Sequence, residues 1–434
     1  MNRSTASIKR NFASLINSIT ADDVAKSPGQ FTRRRLCPLN DILMLLLSME
    51  GHNLNTEIGN YFFTIGRQPP SKSAFIQQRS KLSEDAFPNL LAATNRLFPF
   101  EKTFKGLHLL AVDGSSINIP SLKGDSATFV SYNSRNGGYY MDHLTAVYDL
   151  LEKRYLDAIS SPFRQHNENR DLCIMVDRNP LAGEPCLYIA DRGFASFNNL
   201  AHIINAGQFF LIRCKDPSKS SNLLTGFHFP DSGEADVDHT FILSRKHTGK
   251  GQDPVVFKYL HPQRIFDFLP RDDKSGIFEI NLRIVRVYIS EDKYEYLITN
   301  LPHETYPRRV IKELYNARWG IEVSFRSLKY NLALVFFHSC KREFIDQEIF
   351  ARLIMYNVIS LLVGSIKVKQ KNTKYEYFIS FADAVSHCRR FLLTKMRSTA
   401  LKNLLLMSLT PIRQGRSSPR NVRSQRLKTL NNRY

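Results

Sequence analysis

Hydrophobic positions change their period several times along this chain, and each change marks a new element. From Leu39 to about Phe98 they recur at helical spacing, in LNDILMLLLSM, in NLNTEIGNYFF, in SKSAFIQQRSKL after the turn GRQPP, and in a further apolar helix. At Leu107 the period shortens. LHLLAVDGSSINIP reads as an apolar strand ending at Asp113 in an Asp-Gly-Ser turn, and HLTAVYDLL and KRYLDAISSPF as two more strands. A helix is expected from about Asn167 to Asp177, then the strand PCLYIADRGF ending at Asp191. The helix SFNNLAHIINAG and a fifth strand, QFFLIRCK, complete this stretch.

Between Cys214 and Tyr306 the chain carries short alternating runs, TFILSRK, DPVVFKYL, IFEINLRIVRVYIS and YEYLITNLP, whose β-branched content reads as strands. Then YPRRVIKELYNARWGIEVSFRSLKYN, opened by Pro307 and interrupted only by Gly320, predicts one long helix from Tyr306 to Asn331. An apolar helix, REFIDQEIFARLIMYNVISLLV, follows, and residues 374–407 look helical as well.

The long helix is unusual in that its polar residues repeat. Tyr315, Arg318, Glu322 and Lys329 sit at offsets 0, 3, 7 and 14, which at about 100° per residue places all four within about 60° of one another. A solvated face laced with ion pairs would show the same stripe.

Charge narrows the choice of partner. Lys+Arg 60 against Asp+Glu 40 gives +20 and a pI near 9.7, a balance that favours a polyanion. Residues 1–36 are basic, and the last 24 residues hold seven Arg or Lys and no acid. Within SKSAFIQQRSKL, Lys72, Gln77, Gln78, Arg79 and Lys81 suit a helix that reads DNA, or equally one that only packs in a bundle. The run LIMYNVISLLVGSIKV is interrupted by Asn357 and Lys367 and reads as a core helix, so no membrane partner is expected. Six scattered cysteines with no Cys-x-x-Cys pair suggest reduced core thiols, and with no apolar leader evident the expected location is cytoplasmic, on the nucleoid of a bacterium.

Tyr-x-x-Arg-x-x-x-Glu-x-x-x-x-x-x-Lys at 315–329 resembles the signature of the DDE transposases of insertion-sequence family four. Asp191-Arg192-Gly193-Phe194 resembles the family's second-aspartate motif, and Asp113 stands where its first aspartate is expected. The resemblance implies an α/β fold: a ribonuclease-H-like catalytic core interrupted by a β-rich insertion, with a helical N-terminal DNA-binding region and a helical C-terminal region. The order strand, strand, strand, helix, strand agrees with it. The expected division is 1–100, the helical DNA-binding region; 101–215, the first part of the core; 216–305, the β insertion; 306–372, the second part of the core with its catalytic helix; and 373–434, the C-terminal helices and basic tail.

The expected catalytic and metal-binding residues are Asp113, Asp191 and Glu322. Three carboxylates converging on one cleft require a shared cation, and all-oxygen ligation selects Mg²⁺, with Mn²⁺ able to substitute. Two such ions would support in-line phosphoryl displacement. Tyr315, Arg318, Lys329 and Arg192 are the expected DNA contacts. The family implies cut-and-paste strand cleavage and transfer at the inverted-repeat ends of an element, into target DNA, by a homodimer in a synaptic complex. A silent, transposase-derived DNA-binding regulator is the alternative. Some relatives pass through a hairpin and hold a flipped base on a tryptophan of the insertion. The only tryptophan here, Trp319, lies in the catalytic helix and reads as core. Phe266 or Phe268, beside Arg264 and Arg271, would have to serve instead, unless both rings are core.

Overall fold

The structure is a computed structural model that describes residues 3–32, 36–122, 124–131, 137–218, 223–229, 233–247, 252–290, 293–370 and 375–412. Arg33 to Arg35 of the basic N-terminal stretch, and the basic tail from 413, lie outside the described residues.

Six helices come first: α1 (Thr5–Ser18), α2 (Ala21–Val24), α3 (Leu39–Ser48), α4 (Leu54–Thr64), α5 (Lys72–Arg79) and α6 (Ala86–Leu97). Ser4, Asn53 and Ser71 cap α1, α4 and α5 by accepting the N–H three residues on, which satisfies a donor that the helix itself leaves open. The basic stretch of residues 1–36 thus holds two helices among its described residues. Their signal is in the sequence: Ile8, Phe12 and Ile16, spaced by four, are all buried.

The middle of the chain builds one large sheet. Its strands are β1 (His108–Ile119), β2 (Phe129–Ser131), β3 (Gly138–Asp149), β4 (Arg154–Pro162), β5 (Cys186–Ala190) and β6 (Phe209–Cys214), with α7 (Glu168–Asp177) before β5 and α8 (Phe197–Asn205) after it. The later strands β7 (Ala235–Ser244), β8 (Phe257–Tyr259), β9 (Ile277–Ser290) and β10 (Lys293–Thr299) do not form a separate sheet. They extend the first one, in the order β2-β3-β1-β5-β6-β10-β9-β7-β8, with β4 also on β3. β1 is antiparallel to β3 and parallel to β5, β5 is parallel to β6, and β6 is antiparallel to β10.

After the sheet come α9 (Arg308–Ala317), α10 (Trp319–Tyr330), α11 (Arg342–Gly364), β11 (Tyr377–Ile379), α12 (Phe381–Leu393), α13 (Ser398–Met407) and β12 (Leu409–Pro411), with β11 and β12 paired as a small ladder. Strand alternation sorts β1 between two cores. Leu110 and Val112 pack with Leu172, Val176, Leu200 and Ile203 of α7 and α8, whereas Ala111 joins the core that holds α10 to α13 and the N-terminal helices. α11 is long and apolar enough to cross a membrane, but its most apolar window is 83% buried inside the protein. Asn357 explains the polar break in it: its side chain accepts the Tyr155 N–H at 2.7 Å and donates to the Tyr155 carbonyl and to Asn95, joining α11 to β4 and α6.

Two expectations need correction. Asp113-Gly114 is no turn. β1 continues to Ile119, with Asp113 opposite Ala146 and Gly114 opposite Thr145 on β3. The long helix is also divided, at Arg318, where the Arg318 N–H bonds Tyr315 and the Ile321 N–H bonds Arg318, a tighter three-residue spacing than the α-helix has. Next to this joint a Cβ on Gly320 would stand 2.8 Å from Leu150 Cδ2, so glycine lets the helix press onto the β3–β4 connection.

Candidate active site

Parallel pairing of β1 with β5 ends at Val112 opposite Ala190, so the next residue on each strand, Asp113 and Asp191, leaves the ladder side by side. Asp191 caps a 3-10 turn, Arg192–Phe194, by accepting the Arg192 N–H at 2.7 Å. Asp113 accepts the N–H of Gly114 at 2.9 Å. Glu322 comes from α10 and meets Asp113 through a guanidinium: Arg318 Nη2 is 3.0 Å from Glu322 and Nη1 is 3.5 Å from Asp113. Tyr315 donates its hydroxyl to Asp191 at 3.3 Å. Five of the residues expected from sequence, Asp113, Asp191, Glu322, Tyr315 and Arg318, therefore share one site.

Lys329 also faces β1, but its amine donates to the Ser116 carbonyl at 2.7 Å, three residues beyond Asp113, and not to a carboxylate. Arg192 is exposed beside Asp191. Two members of the site carried no recognisable signal. Arg213 on β6 pairs with Asp191 at 2.7 Å and with Glu295 of β10 at 3.3 Å, so the extended part of the sheet reaches the site through it. Glu168, the first residue of α7, bonds His143 at 2.8 Å beside Gly114. In the sequence, Arg213 appears only as a cation in an apolar strand, and Glu168 as an ordinary first-turn acid.

Burial pushes the Asp113 carboxyl up to about 6, with the charges of Glu322 and Glu168 adding to the effect and the Gly114 N–H and Arg318 opposing it. Burial likewise pushes the Tyr315 phenol up and the Lys329 amine down. Among the described residues no three His, Cys, Asp or Glu side chains stand together at ligand distance. Guanidiniums balance the carboxylates here: Arg318 against Asp113 and Glu322, Arg213 against Asp191. A donor set made only of carboxylate oxygens, one of them desolvated and surrounded by like charge, fits a hard divalent cation and does not fit zinc.

Several other expectations fail for reasons of packing. Trp319 is 47% exposed, beside Arg318 on the outer side of the helix, and is not a core residue. Phe266 is core instead, at 4% exposure, and Phe268 packs with it and with Phe278, so neither ring is free to hold a base. Arg79 is sealed against Gln347 and Glu348 of α11, and Gln78 is buried, which removes both from any DNA-reading role and leaves α5 a packing helix at those positions. Five cysteines are free and buried as expected, but Cys340 is exposed.

Residues 105–358, more than half of the chain and inclusive of all three carboxylates, match the model of a family described as Transposase DDE domain. No curated protein sequence matches the chain. Among solved structures, a cryo-EM structure of the piggyBac transposase synaptic complex with hairpin DNA aligns over 94% of this chain and 83% of that chain, with a TM-score of 0.43 and 11% identity. The family is one of DNA-cleaving phosphoryl-transfer enzymes that generally use divalent metal ions. On the match over residues 105–358, the chain belongs to the DDE transposases.

Proposed function

We propose that this transposase belongs to insertion-sequence family four and moves its element by cut-and-paste, cleaving at inverted-repeat ends and joining them to target DNA as a homodimer in the bacterial cytoplasm. The observation that carries this reading is the exit of Asp113 and Asp191 from paired positions on adjacent parallel strands, with Glu322 brought to Asp113 through Arg318. In this reading β4-β3-β1-β5-β6 is a ribonuclease-H-like core of residues 101–215 and 306–372, and 216–305 is the insertion. Residues 1–100 and 373–434 are then the helical regions on either side. The order of those five strands, with β1, β5 and β6 parallel and β1, β3 and β4 antiparallel, supports it.

Asp113, Asp191 and Glu322 are the groups that would hold Mg²⁺ or Mn²⁺, and a pair of such ions supplies activation of the attacking oxygen and stabilisation of the leaving one. The chain's own work is placement. Arg318 can offer a bidentate contact to a phosphate once DNA competes for it, and Tyr315 orients Asp191 by its hydroxyl. Lys329 keeps a desolvated positive charge next to β1, and Arg192 extends from the loop after Asp191 toward the strand being cut. A catalytically silent regulator would have no need of the carboxylates at this edge. Incubating the purified protein with its element's ends and Mg²⁺ tests the proposal: nicking at the terminus that is lost in Asp113→Ala, Asp191→Ala and Glu322→Ala, with end binding retained, is the expected result. Binding without cleavage under any divalent ion would favour the silent regulator.

A further inference from the structure

The glycines that follow the two aspartates point to a group that the motif does not contain. A Cβ on Gly114 would lie 1.9 Å from Glu168 Oε1 and 2.3 Å from His143 Nε2, an overlap that would force these side chains to move. Across the gap, a Cβ on Gly193 would stand 3.7 Å from Glu168 Oε2. The Glu168 carboxylate therefore occupies the space between Asp113-Gly114 on β1 and Asp191-Arg192-Gly193 after β5.

That position is held from several sides. Asn167 caps α7 by accepting the Arg170 N–H at 3.1 Å, which fixes where the helix begins. Asn169 donates to the Gly193 carbonyl at 3.3 Å, tying the first turn of α7 to the loop after Asp191. His143 comes from β3 opposite Ser116, is 6% exposed, and binds Glu168 Oε1 through Nε2 at 2.8 Å. Its other nitrogen is 3.5 Å from the Ser116 hydroxyl, and its ring stacks on His166 at 4.2 Å. Ser116 is also the residue whose carbonyl accepts the Lys329 amine. One chain of contacts thus runs from Glu168 through His143 and β1 to the catalytic helix.

We infer that Glu168 is a fourth carboxylate of the cation site, with His143 as its positioning residue. This rests on the reading of Asp113, Asp191 and Glu322 as cation ligands. One Glu168 oxygen is committed to the imidazole; the other faces Gly193 and makes no hydrogen bond among the described residues, which leaves it for a cation or a cation-bound water. An imidazole bonded to one oxygen fixes the carboxylate's orientation, as outer-shell partners do in metal sites. Glycine at 114 follows from the same arrangement, because any larger residue would expel Glu168.

Direct Mn²⁺ binding to the purified full chain, followed by calorimetry without DNA, tests this apart from catalysis. Glu168→Gln and Gly114→Ala are each expected to weaken Mn²⁺ by about tenfold or more, with Asp113→Asn as the reference loss. Wild-type affinity, within twofold, in Glu168→Gln alongside a clear loss in Asp113→Asn would overturn the role of Glu168 and leave the cation site standing. Unchanged binding in both would overturn the cation site itself, and the inference with it. Should Glu168→Gln fail to fold, the double variant His143→Ala/Glu168→Ala, which leaves neither partner unpaired, gives the same reading.

Discussion

The carboxylates and cations at the sheet edge and those where α11 meets the N-terminal helices differ in one respect, their exposure to solvent. At the sheet edge, Asp113, Glu322 and Asp191 face Arg318 and Arg213 with about a quarter to a third of each acidic side chain open to solvent. Where α11 meets the N-terminal helices, Glu57, His338, Glu348 and Arg79 are sealed at 1–5% exposure. In the sealed cluster every acid has more than one donor: Glu348 takes Arg79 and His338, and Glu57 takes the backbone of Glu50 and His52. Burial with several partners for each acid makes a joint; carboxylates left partly open to solvent make a site whose partners can exchange.

The largest effect that would break this comparison is catalytic. Asp113→Asn, Asp191→Asn and Glu322→Gln are each expected to lower strand cleavage by about a thousandfold or more. Their thermal midpoints should not fall. Burial already disfavours the charged Asp113, so an uncharged isostere relieves the fold. A variant that lost cleavage only in proportion to lost stability would place its residue in a joint.

The sealed cluster should behave in the opposite way. Arg79→Met or Glu348→Gln removes one partner and strands the other in the interior, at a cost of about 3–5 kcal/mol. Chemical denaturation measures it. Any surviving folded fraction should cleave DNA at the normal rate per molecule, because neither residue touches the sheet edge.

The same cluster predicts a pH window. Burial alone would push Glu348 up, but His338 and Arg79 outweigh it and hold the carboxyl down at about 2. Burial alone would push His338 down, but Glu348 and Glu57 outweigh it and raise the imidazole to about 9. Stability from Glu348 is fully present above its ordinary value of 4.5 and is lost as pH falls toward 2. Stability from His338 is fully present below its ordinary value of 6.5 and is lost as pH rises through about 9. The thermal midpoint should peak between these ordinary values, and above them the alkaline decline amounts to at most about 1.4 kcal/mol per pH unit from this one group. His338→Gln should lower the peak and flatten that decline; an unaltered decline would assign it to other groups.

What the sequence revealed, and what it hid, follows the same division. Strand and helix positions were legible because burial on one face leaves a period, and that held for β7 to β10 as well as for α3 to α8. Asp113, Asp191 and Glu322 stood out as candidates because they lie at the ends of such periods or on a repeating helix face. Arg213 and Glu168 were not, since their importance comes from register across strands distant in sequence: Arg213 reaches Asp191 only because β6 lies next to β5. The Asp-Gly of β1 looked like a turn because glycine has two uses, and spacing cannot distinguish a bend from room made for a neighbouring carboxylate. Arg79 could be read equally as a DNA contact or as a packing residue, because a buried arginine and an exposed one are identical letters.

The smallest expected effect concerns exchange of partners at the open cluster. Arg318, itself buried, is bound to two carboxylates that are about a quarter open to solvent, and Lys329 to a backbone carbonyl. If DNA phosphates draw on these charges, Arg318→Ala and Lys329→Ala should each reduce the slope of log affinity against log salt by about one phosphate contact, with the loss uniform across DNA sequences. Arg79→Met is the matched control from the sealed cluster: measured where it is folded, it should leave the slope unchanged, because a cation sealed at 1% exposure cannot reach a phosphate. Titration of an element-end duplex over a range of salt concentrations reads all three variants in one experiment. An unchanged slope in both Arg318→Ala and Lys329→Ala would mean that the stripe on α9 and α10 only neutralises the carboxylates beside it, and that the electrostatic hold on DNA comes from other basic surfaces of this strongly cationic chain.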